Sequence, residues 1–197
     1  MYLQGRQVLP ARPLILTFDD GYRDFHTTAL PILRRHRFTA VAYVVPGFVG
    51  RQRYLSSEQM REIDAAGIEI GSHTVNHPDL TALPAPLLEF QLRASKSYLE
   101  NLLGHPVLDF CYPSGRYNAG VAAAVQAAGY ESATTVEQGS AHAWPDRYSW
   151  TRIRVVGGES LETFVTNLGP IEPVEIPTPT PPPPPRVGPP AGGGPQP

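Results

Sequence analysis

Two adjacent carboxylates, Asp19 and Asp20, in the segment "ILTFDDGY" are the first residues whose spacing indicates chemistry. They follow an apolar run, where neighbouring negative charges repel each other and burial makes the repulsion more costly. A bound cation would stabilise one carboxylate and leave the other free to accept a proton. The alternative is that both side chains cap the helix that follows and bind its free amide groups.

Two histidines, His73 and His77, in the segment "GSHTVNHPDL" favour the cation. Residues four apart on one helical turn share a face, so both imidazoles could reach one ion, although Pro78 limits how far such a turn continues. Two histidines and one aspartate are three protein ligands, which leaves a fourth position for water, as in catalytic zinc sites. A metal lowers the pKa of that water to roughly 7, and the second aspartate would act as its base.

The elements that must position these residues alternate between strand and helix. The alternation indicates a parallel sheet with crossover helices, either open and doubly wound or closed into a barrel. In both architectures the chemistry lies at the carboxyl ends of strands, where the aspartates, the histidines and the segment "YPSGRYN" are expected to meet. The six predicted strands are "PLILTF", "FTAVAYVV", "IEIGSH", "VLDFCY", "YESATTV" and "RIRVV", and the predicted helices are "TTALPILRRHR", "SSEQMREIDAAG", 86–103, "AGVAAAVQAAG" and "LETFVTNL".

Composition excludes several classes of protein. A formal net charge of −2 gives no reason to expect nucleic acid or an anionic membrane as a partner. The single cysteine, Cys111, excludes an internal disulfide and a cysteine-rich metal site. No run is long and apolar enough to span a membrane. The start "MYLQGRQVLPARP" lacks the apolar segment of a signal peptide, so we expect a soluble domain unless translation begins upstream of Met1.

The end of the chain differs in composition from the rest. Residues 170–197 hold 13 of the 23 prolines and little apolar surface to offset the entropy of ordering. The run Pro181–Pro185 favours an extended polyproline conformation. We therefore predict one domain over 1–169 and a disordered proline- and glycine-rich tail over 170–197. The tail is interpreted as a spacer, and a proline-rich ligand for a partner domain is the alternative.

Three segments, "TFDDGY", "GSHTVNHPDL" and "FCYPSGRYN", in this order resemble motifs of the polysaccharide deacetylase family, the NodB-homology domain of carbohydrate esterase family 4. The resemblance extends over about 13–168. It implies a single-domain α/β fold, a distorted (β/α) barrel of about seven parallel strands, which is one more than the sequence pattern predicts. It also implies removal of N-acetyl or O-acetyl groups from polymers such as chitin, peptidoglycan, poly-N-acetylglucosamine or xylan.

The resemblance also assigns roles to residues by position. Asp19 matches the catalytic base, and Asp20, His73 and His77 match the ligands of a divalent metal, zinc in first place and cobalt or nickel as alternatives. The turn after the fourth strand matches the motif that lines the substrate groove, where a backbone amide helps to stabilise the oxyanion. The residues of that turn are Tyr112, Pro113, Ser114 and Gly115, with the amide belonging to Ser114 and the Tyr112 ring placed in the groove wall or in the core.

This chain departs from the family pattern at three places. Many members carry an arginine that braces the base two residues before the proline of the third motif, and here that position is Cys111. A late Leu-x-His that supplies a general acid is absent near "RIRVVGG", and the tryptophan motif is replaced by "TTVEQGSAH". His142 is the remaining candidate for the acid, although an exposed histidine without a catalytic role is the simpler interpretation.

These observations predict a metal-dependent deacetylase in which metal-bound water attacks an acetyl carbonyl of a glycan. Two alternatives stay open: a glycan-binding protein with weakened catalysis, and an amidohydrolase of a small nitrogenous metabolite. The substrate class implies an extracytoplasmic or cell-surface location. Because this sequence shows no export signal, a cytoplasmic location is the alternative.

Overall fold

Six parallel strands form one sheet in the order in which they occur along the chain. The computed structural model describes residues 13–169, so the predicted tail and the start of the predicted domain lie outside the described residues. The strands are β1 (Thr17–Phe18), β2 (Val41–Val44), β3 (Glu69–Ser72), β4 (Asp109–Cys111), β5 (Ser132–Gln138) and β6 (Trp150–Arg152). The helices are α1 (Leu30–His36), α2 (Ser57–Ala65), α3 (Ala85–Leu103), α4 (Ala119–Ala127) and α5 (Leu161–Leu168).

The two faces of the sheet belong to separate apolar clusters, because successive side chains of a strand point to opposite faces. On the outer face, Val44 and Phe110 pack with buried side chains of the helices. On the inner face, Val41, Tyr43 and Cys111 form a second, smaller cluster. The helical residues of the outer cluster include Leu30, Leu33, Met60, Ile63, Leu92, Leu99, Val121 and Val125.

The sheet curls until its edge strands, β1 and β6, approach each other without pairing. Nη1 of Arg152 on β6 crosses the gap and donates to Oγ1 of Thr17 on β1 at 3.1 Å. This curled parallel sheet confirms the distorted barrel. Within the described residues it has six strands, the number that the sequence pattern predicts.

Two helix boundaries follow the signals in the sequence. Ser56 caps α2: its Oγ accepts from the Gln59 amide at 3.2 Å, and its own amide donates to Oε1 of Gln59 at 3.0 Å. Gly104 ends α3 in a left-handed conformation with φ of 80°.

Two strand predictions need correction at the sheet edges. The run "PLILTF" was expected to be buried on both faces, but only its last two residues pair, and Leu14 and Ile15 are 56% and 69% exposed. They are exposed because β1 has a neighbour on one side only. The run "RIRVV" pairs only at Arg152, since its partner strand β5 ends at Gln138, and the valines beyond have no strand beside them.

Among residues 13–169, none of the helices combines the length and the apolar character that a membrane span requires.

Candidate metal and catalytic site

The two adjacent aspartates point to different partners because the backbone reverses at the end of β1. Asp20 and Gly21 both adopt left-handed conformations, with φ of 73° and 72°. A Cβ on Gly21 would also lie 3.2 Å from Cγ1 of Val44. Within residues 13–169, the helical amides after the turn donate no hydrogen bond to either carboxylate, so the capping interpretation is wrong.

Asp20, His73 and His77 converge as a candidate metal site. Oδ1 of Asp20 lies 3.6 Å from Nε2 of each histidine, which is too long for a hydrogen bond. The distance does fit atoms that share a cation, because two atoms each roughly 2.0–2.2 Å from zinc are at most about 4.4 Å apart. Two imidazole nitrogens and one carboxylate oxygen also suit zinc and its neighbours in the transition series.

His73 is oriented by a hydrogen bond behind the site. Its Nδ1 donates to the carbonyl oxygen of Cys111 at 2.6 Å, which leaves Nε2 without a proton and facing Asp20. The side chain is 2% exposed, and this burial lowers the pKa of His73 even though the charge of Asp19 opposes the shift. A neutral imidazole with a free Nε2 is the form that binds metals.

His77 lies after a turn and not on a helix, which corrects the expectation of a shared helical turn. Thr74 and His77 both have positive φ, 67° and 60°, and Oγ1 of Thr74 accepts from the His77 amide at 2.9 Å. Gln91 of α3 fixes the turn, since its Oε1 accepts from the amides of Val75 and Asn76 at 3.0 and 3.3 Å. Sequence reasoning missed Gln91; the available signal was a polar residue among the leucines on the buried stripe of α3.

Asp19 is held on the inner side of the sheet by Arg152. Nη1 and Nη2 of the guanidinium donate to Oδ1 and Oδ2 of Asp19 at 2.7 and 2.8 Å, and Nε donates to the carbonyl oxygen of Thr135 at 2.7 Å. Burial raises the pKa of Asp19, but the hydrogen bonds and charge of Arg152 outweigh burial and hold this pKa below its ordinary value of 3.8. Asp19 is therefore ionised at neutral pH.

Sequence reasoning also missed Arg152. The signal was an arginine inside a predicted strand, because a buried charge requires a partner of opposite sign. The sequence of one strand does not show which distant carboxylate that partner is.

Cys111 lies between the acid and the arginine. Its Sγ is 3.7 Å from Oδ2 of Asp19 and 3.3 Å from Nη2 of Arg152. Burial and the charge of Asp19 raise the pKa of the Cys111 thiol well above its usual range. Ligand atoms of Asp19, His73 and Cys111 also lie within 4.8 Å of one another. A neutral thiol beside a guanidinium makes this second group the weaker metal candidate.

The predicted oxyanion turn, Pro113–Gly115, follows β4 at the same end of the sheet. Ser114 and Gly115 have φ of 54° and 68°, and a Cβ on Gly115 would lie 2.3 Å from Cγ2 of Val136. The Gly115 amide donates to the carbonyl oxygen of Tyr112 at 2.8 Å. Ser114 is exposed, and its amide has no acceptor in the part of the chain that the structure describes.

Tyr112 lies in the core, which is the second of the two places expected for it, and not in a groove wall. Its side chain is fully buried, its hydroxyl donates to the carbonyl oxygen of Tyr148 at 2.9 Å, and its ring stacks on Tyr117. The alternation of side chains explains this position, because Cys111 points to the inner face and the next residue must point towards the helices. The Pro113 side chain is buried as well.

His142 lies in the connection between β5 and β6 and is exposed. Its Nε2 is 2.7 Å from the carbonyl oxygen of Thr151, and its ring centroid is 5.8 Å from that of Trp150. Within residues 13–169 it contacts none of the aspartates and histidines of the site.

Comparison with known proteins identifies the family of this chain. Residues 6–133 match the family model described as polysaccharide deacetylase. The putative polysaccharide deacetylase YxkH of Bacillus subtilis is 32% identical over 151 residues, which are 77% of this chain and 54% of that protein. The peptidoglycan-N-acetylglucosamine deacetylase of Bacillus cereus is 31% identical over 120 residues, 60% of this chain and 54% of that protein. The chain thus spans little more than half the length of these relatives.

Solved structures resemble this fold over most of the chain. The deacetylase PplD of Streptococcus pyogenes, in complex with acetate, is 31% identical with a TM-score of 0.80, covering 86% of this chain and 76% of that chain. A polysaccharide deacetylase from Bacillus cereus is 26% identical with a TM-score of 0.72, covering 79% of this chain and 51% of that chain. The family match includes both aspartates and both histidines of the site, and the chain belongs to the polysaccharide deacetylase family.

Proposed function

We propose that this protein is a metal-dependent hydrolase that removes acetyl groups, N-acetyl groups first, from a cell-wall glycan or related polysaccharide. The observation that carries the proposal is the geometry at the end of β1. One aspartate lies 3.6 Å from two imidazole nitrogens, and its neighbour is held by an arginine beside them. In this proposal Asp20, His73 and His77 hold the ion, with zinc as the first candidate and cobalt or nickel as alternatives.

A divalent cation held by Asp20, His73 and His77 would supply Lewis-acid chemistry, polarising the acetyl carbonyl and lowering the pKa of water to about 7. Asp19 accepts the proton of the attacking water. Each carboxylate oxygen has two lone pairs. Arg152 donates to both oxygens and the Cys111 thiol also donates to Oδ2, so the lone pair left for this proton is on Oδ1. Because the pKa of Asp19 is lowered, its carboxylate is ionised before the reaction and can accept a proton. Once protonated, it is a strong acid and gives the proton up readily.

When the tetrahedral intermediate formed from an amide breaks down, the departing nitrogen must be protonated, because an amide anion is a very poor leaving group. Apart from the two proposed ligands, no histidine of the described residues contacts Asp19. Asp19 therefore returns the proton to the nitrogen and serves as both base and acid. The free amide of Ser114 supplies a hydrogen-bond donor for the oxyanion.

The proposed substrate class comes from the names of similar proteins. These include a peptidoglycan-N-acetylglucosamine deacetylase and a chitooligosaccharide deacetylase of Bradyrhizobium, 31% and 38% identical over the matched parts. An extracytoplasmic or cell-surface location is part of the same proposal, since such polymers lie outside the cytoplasm.

Acetate release from a panel of acetylated oligosaccharides tests the proposal. The protein is stripped with a chelator and assayed alone and after addition of zinc, cobalt or nickel. The expected result is release that depends on added metal and on Asp19. Binding of oligosaccharide without turnover would support the weakened glycan-binding protein instead. Turnover of a small amide alone would support the amidohydrolase.

A further inference from the structure

Gln91 is a buried polar residue on α3, behind the segment 73–77 that carries both histidines. We call this segment the histidine turn. Leu92 and Leu99 of the same helix belong to the outer apolar cluster and are fully buried, and the Gln91 side chain beside them is only 8% exposed. A primary amide at such a position is costly unless its polar atoms have partners. The partners of Gln91 therefore explain why α3 has a polar residue here.

The side-chain amide of Gln91 bonds to two consecutive residues of the histidine turn. Its Oε1 accepts from the amides of Val75 and Asn76 at 3.0 and 3.3 Å. Its Nε2 donates to Oδ1 of Asn76 at 2.7 Å, which fixes the orientation of the Gln91 amide group. Both partners lie between the two candidate ligands, so Gln91 holds the middle of the turn.

The turn depends on this contact because its own backbone is strained. Thr74 and His77 have φ of 67° and 60°, a region that residues other than glycine rarely adopt. The His77 amide is paired inside the turn, with Oγ1 of Thr74. In the part of the chain that the structure describes, the amides of Val75 and Asn76 have no acceptor other than Gln91. Without Gln91, two amides would lose their partner, and the strained conformation would no longer be held.

The two candidate ligands differ in how much they depend on the turn. The His73 amide donates to the carbonyl oxygen of Val44 at 2.9 Å, and Nδ1 of its ring bonds to the Cys111 carbonyl oxygen at 2.6 Å. Neither bond involves the rest of the turn. The His77 side chain is 29% exposed, and its ring makes no hydrogen bond within the described residues. The position of the His77 ring is therefore set by the backbone of the turn.

We propose that Gln91 is a positioning residue that presets His77 for the cation and thereby sets the affinity of the site for metal. A ligand that is already in place loses little freedom when the ion binds. A free turn would have to be ordered by the ion, and this ordering would weaken binding. The inference rests on the proposed function, from which it takes the ligand set, and it adds the residue that controls metal affinity.

The test measures the dissociation constant for cobalt. The full chain is stripped with a chelator and titrated with Co²⁺, and the visible absorption of the bound ion is followed. Gln91→Met has a similar length but neither accepts nor donates a hydrogen bond. We expect its dissociation constant to rise at least tenfold, since losing a group that orients metal ligands costs about 10–100-fold in affinity. At saturating cobalt the absorption spectrum should match that of the wild type, because all three ligands remain.

Two milder variants test the same contact. Gln91→Glu keeps an oxygen for the amides of Val75 and Asn76, so it should retain most of the affinity. Asn76→Ala changes an exposed residue and removes only the acceptor that orients Gln91. It should raise the dissociation constant by about threefold, the effect of one hydrogen bond. Added to Gln91→Met, Asn76→Ala should have no further effect, because the bond is already absent.

Two controls separate positioning from general stability. Leu99→Val makes a buried side chain smaller about two turns further along α3, so it lowers the thermal midpoint without a contact to the histidine turn. Gln126→Met changes an exposed glutamine on α4. Both should bind cobalt as the wild type does. Equal weakening in Leu99→Val and Gln91→Met would show an effect of stability and overturn the inference.

The remaining outcomes also decide the matter. A folded Gln91→Met protein that binds cobalt as tightly as the wild type would overturn the inference. If Gln91→Met does not fold, an unchanged dissociation constant in Asn76→Ala overturns it instead. The titration contains no glycan, so it is independent of turnover. Cobalt binding that depends on Gln91, without acetate release from any oligosaccharide, would reject the proposed function and support the positioning role. A wild-type protein that binds no cobalt would overturn the ligand set and this inference together.

Discussion

The two halves of the site are built in different ways. On the side of β1 to β3, three candidate ligands and the candidate base come from two short segments. Their geometry depends on positive φ angles at Asp20 and His77. On the side of β4 to β6, residues far apart in sequence meet through their side chains. There Arg152 reaches across the inside of the sheet to Asp19, past Cys111.

This difference shows what each half requires of its residues. A ligand set needs particular atoms within a few ångströms of one point, and a fixed turn supplies them only with particular residues at each position. A side-chain cation that orients Asp19 needs only to reach that carboxylate from the interior of the barrel. Any inward-facing position near it meets this condition. The first half should therefore tolerate no substitution of its ligands or base, and the second half should tolerate an arginine at a different position.

The largest expected effect is from His77→Ala. This change removes one of three ligands, so we expect zinc retained after dialysis to fall to background and acetate release to fall with it. Metal analysis and the activity assay are made on the same preparation. His36→Ala, which changes an exposed histidine outside the site, should affect neither. Full metal occupancy in His77→Ala would show that this half is not the metal site.

A second large effect is expected from Asp19→Asn. The amide keeps the shape of the side chain but cannot accept the proton, so kcat should drop by a factor of about 10² or more. The zinc content should stay at the wild-type level, because Asp19 is bound to Arg152 and not to the histidines. Loss of zinc together with activity would mean that the two aspartates share the metal.

The same division explains how much could be predicted from the sequence. Asp20, His73 and His77 were predicted because a strand end and a four-residue spacing are local patterns, and their convergence agrees with that prediction. The turn between the histidines was predicted as helical because spacing alone does not reveal the left-handed φ of His77.

The remaining half could not be predicted because it depends on the curl of the sheet. For Tyr112 both the groove wall and the core stay open from the sequence, because the sequence does not show which face of the strand each residue lies on. Arg152 was not recognised as a partner of Asp19 because 133 residues separate them. The curl that brings β6 next to β1 is a property of the whole sheet.

Moving the arginine from position 152 on β6 to position 111 on β4 tests whether the second half of the site tolerates relocation. Arg152→Ala leaves the Asp19 carboxylate without its cation, and the resulting misplacement should lower kcat by up to about 10²-fold with zinc retained. Cys111 lies on the inner face of β4 with Sγ 3.7 Å from Oδ2 of Asp19. Adding Cys111→Arg to Arg152→Ala should therefore recover much of the lost activity.

Arg152→Lys is the matched control for this relocation. Lysine keeps the charge but cannot make two parallel hydrogen bonds, so its activity should lie between those of the wild type and Arg152→Ala. Thermal midpoints of all variants separate loss of folding from loss of orientation. If the double variant is folded, binds zinc and is no more active than Arg152→Ala, the bracing group cannot be relocated and the contrast between the two halves fails.

The smallest effect is expected from His142→Ala. His142 contacts the Thr151 carbonyl and the Trp150 ring, and these contacts serve the loop between β5 and β6 and not the reacting atoms. If Asp19 returns the proton itself, kcat on an N-acetylated oligomer should stay within about tenfold of wild type, a barrier change of at most about 1.4 kcal/mol. An alkoxide is a better leaving group than an amide anion, so kcat on O-acetyl substrates should change even less. A loss as large as that of Asp19→Asn, with zinc still bound, would make His142 the general acid. The β5–β6 connection would then carry part of the catalytic machinery, and the second half of the site would be as specific in its residues as the first.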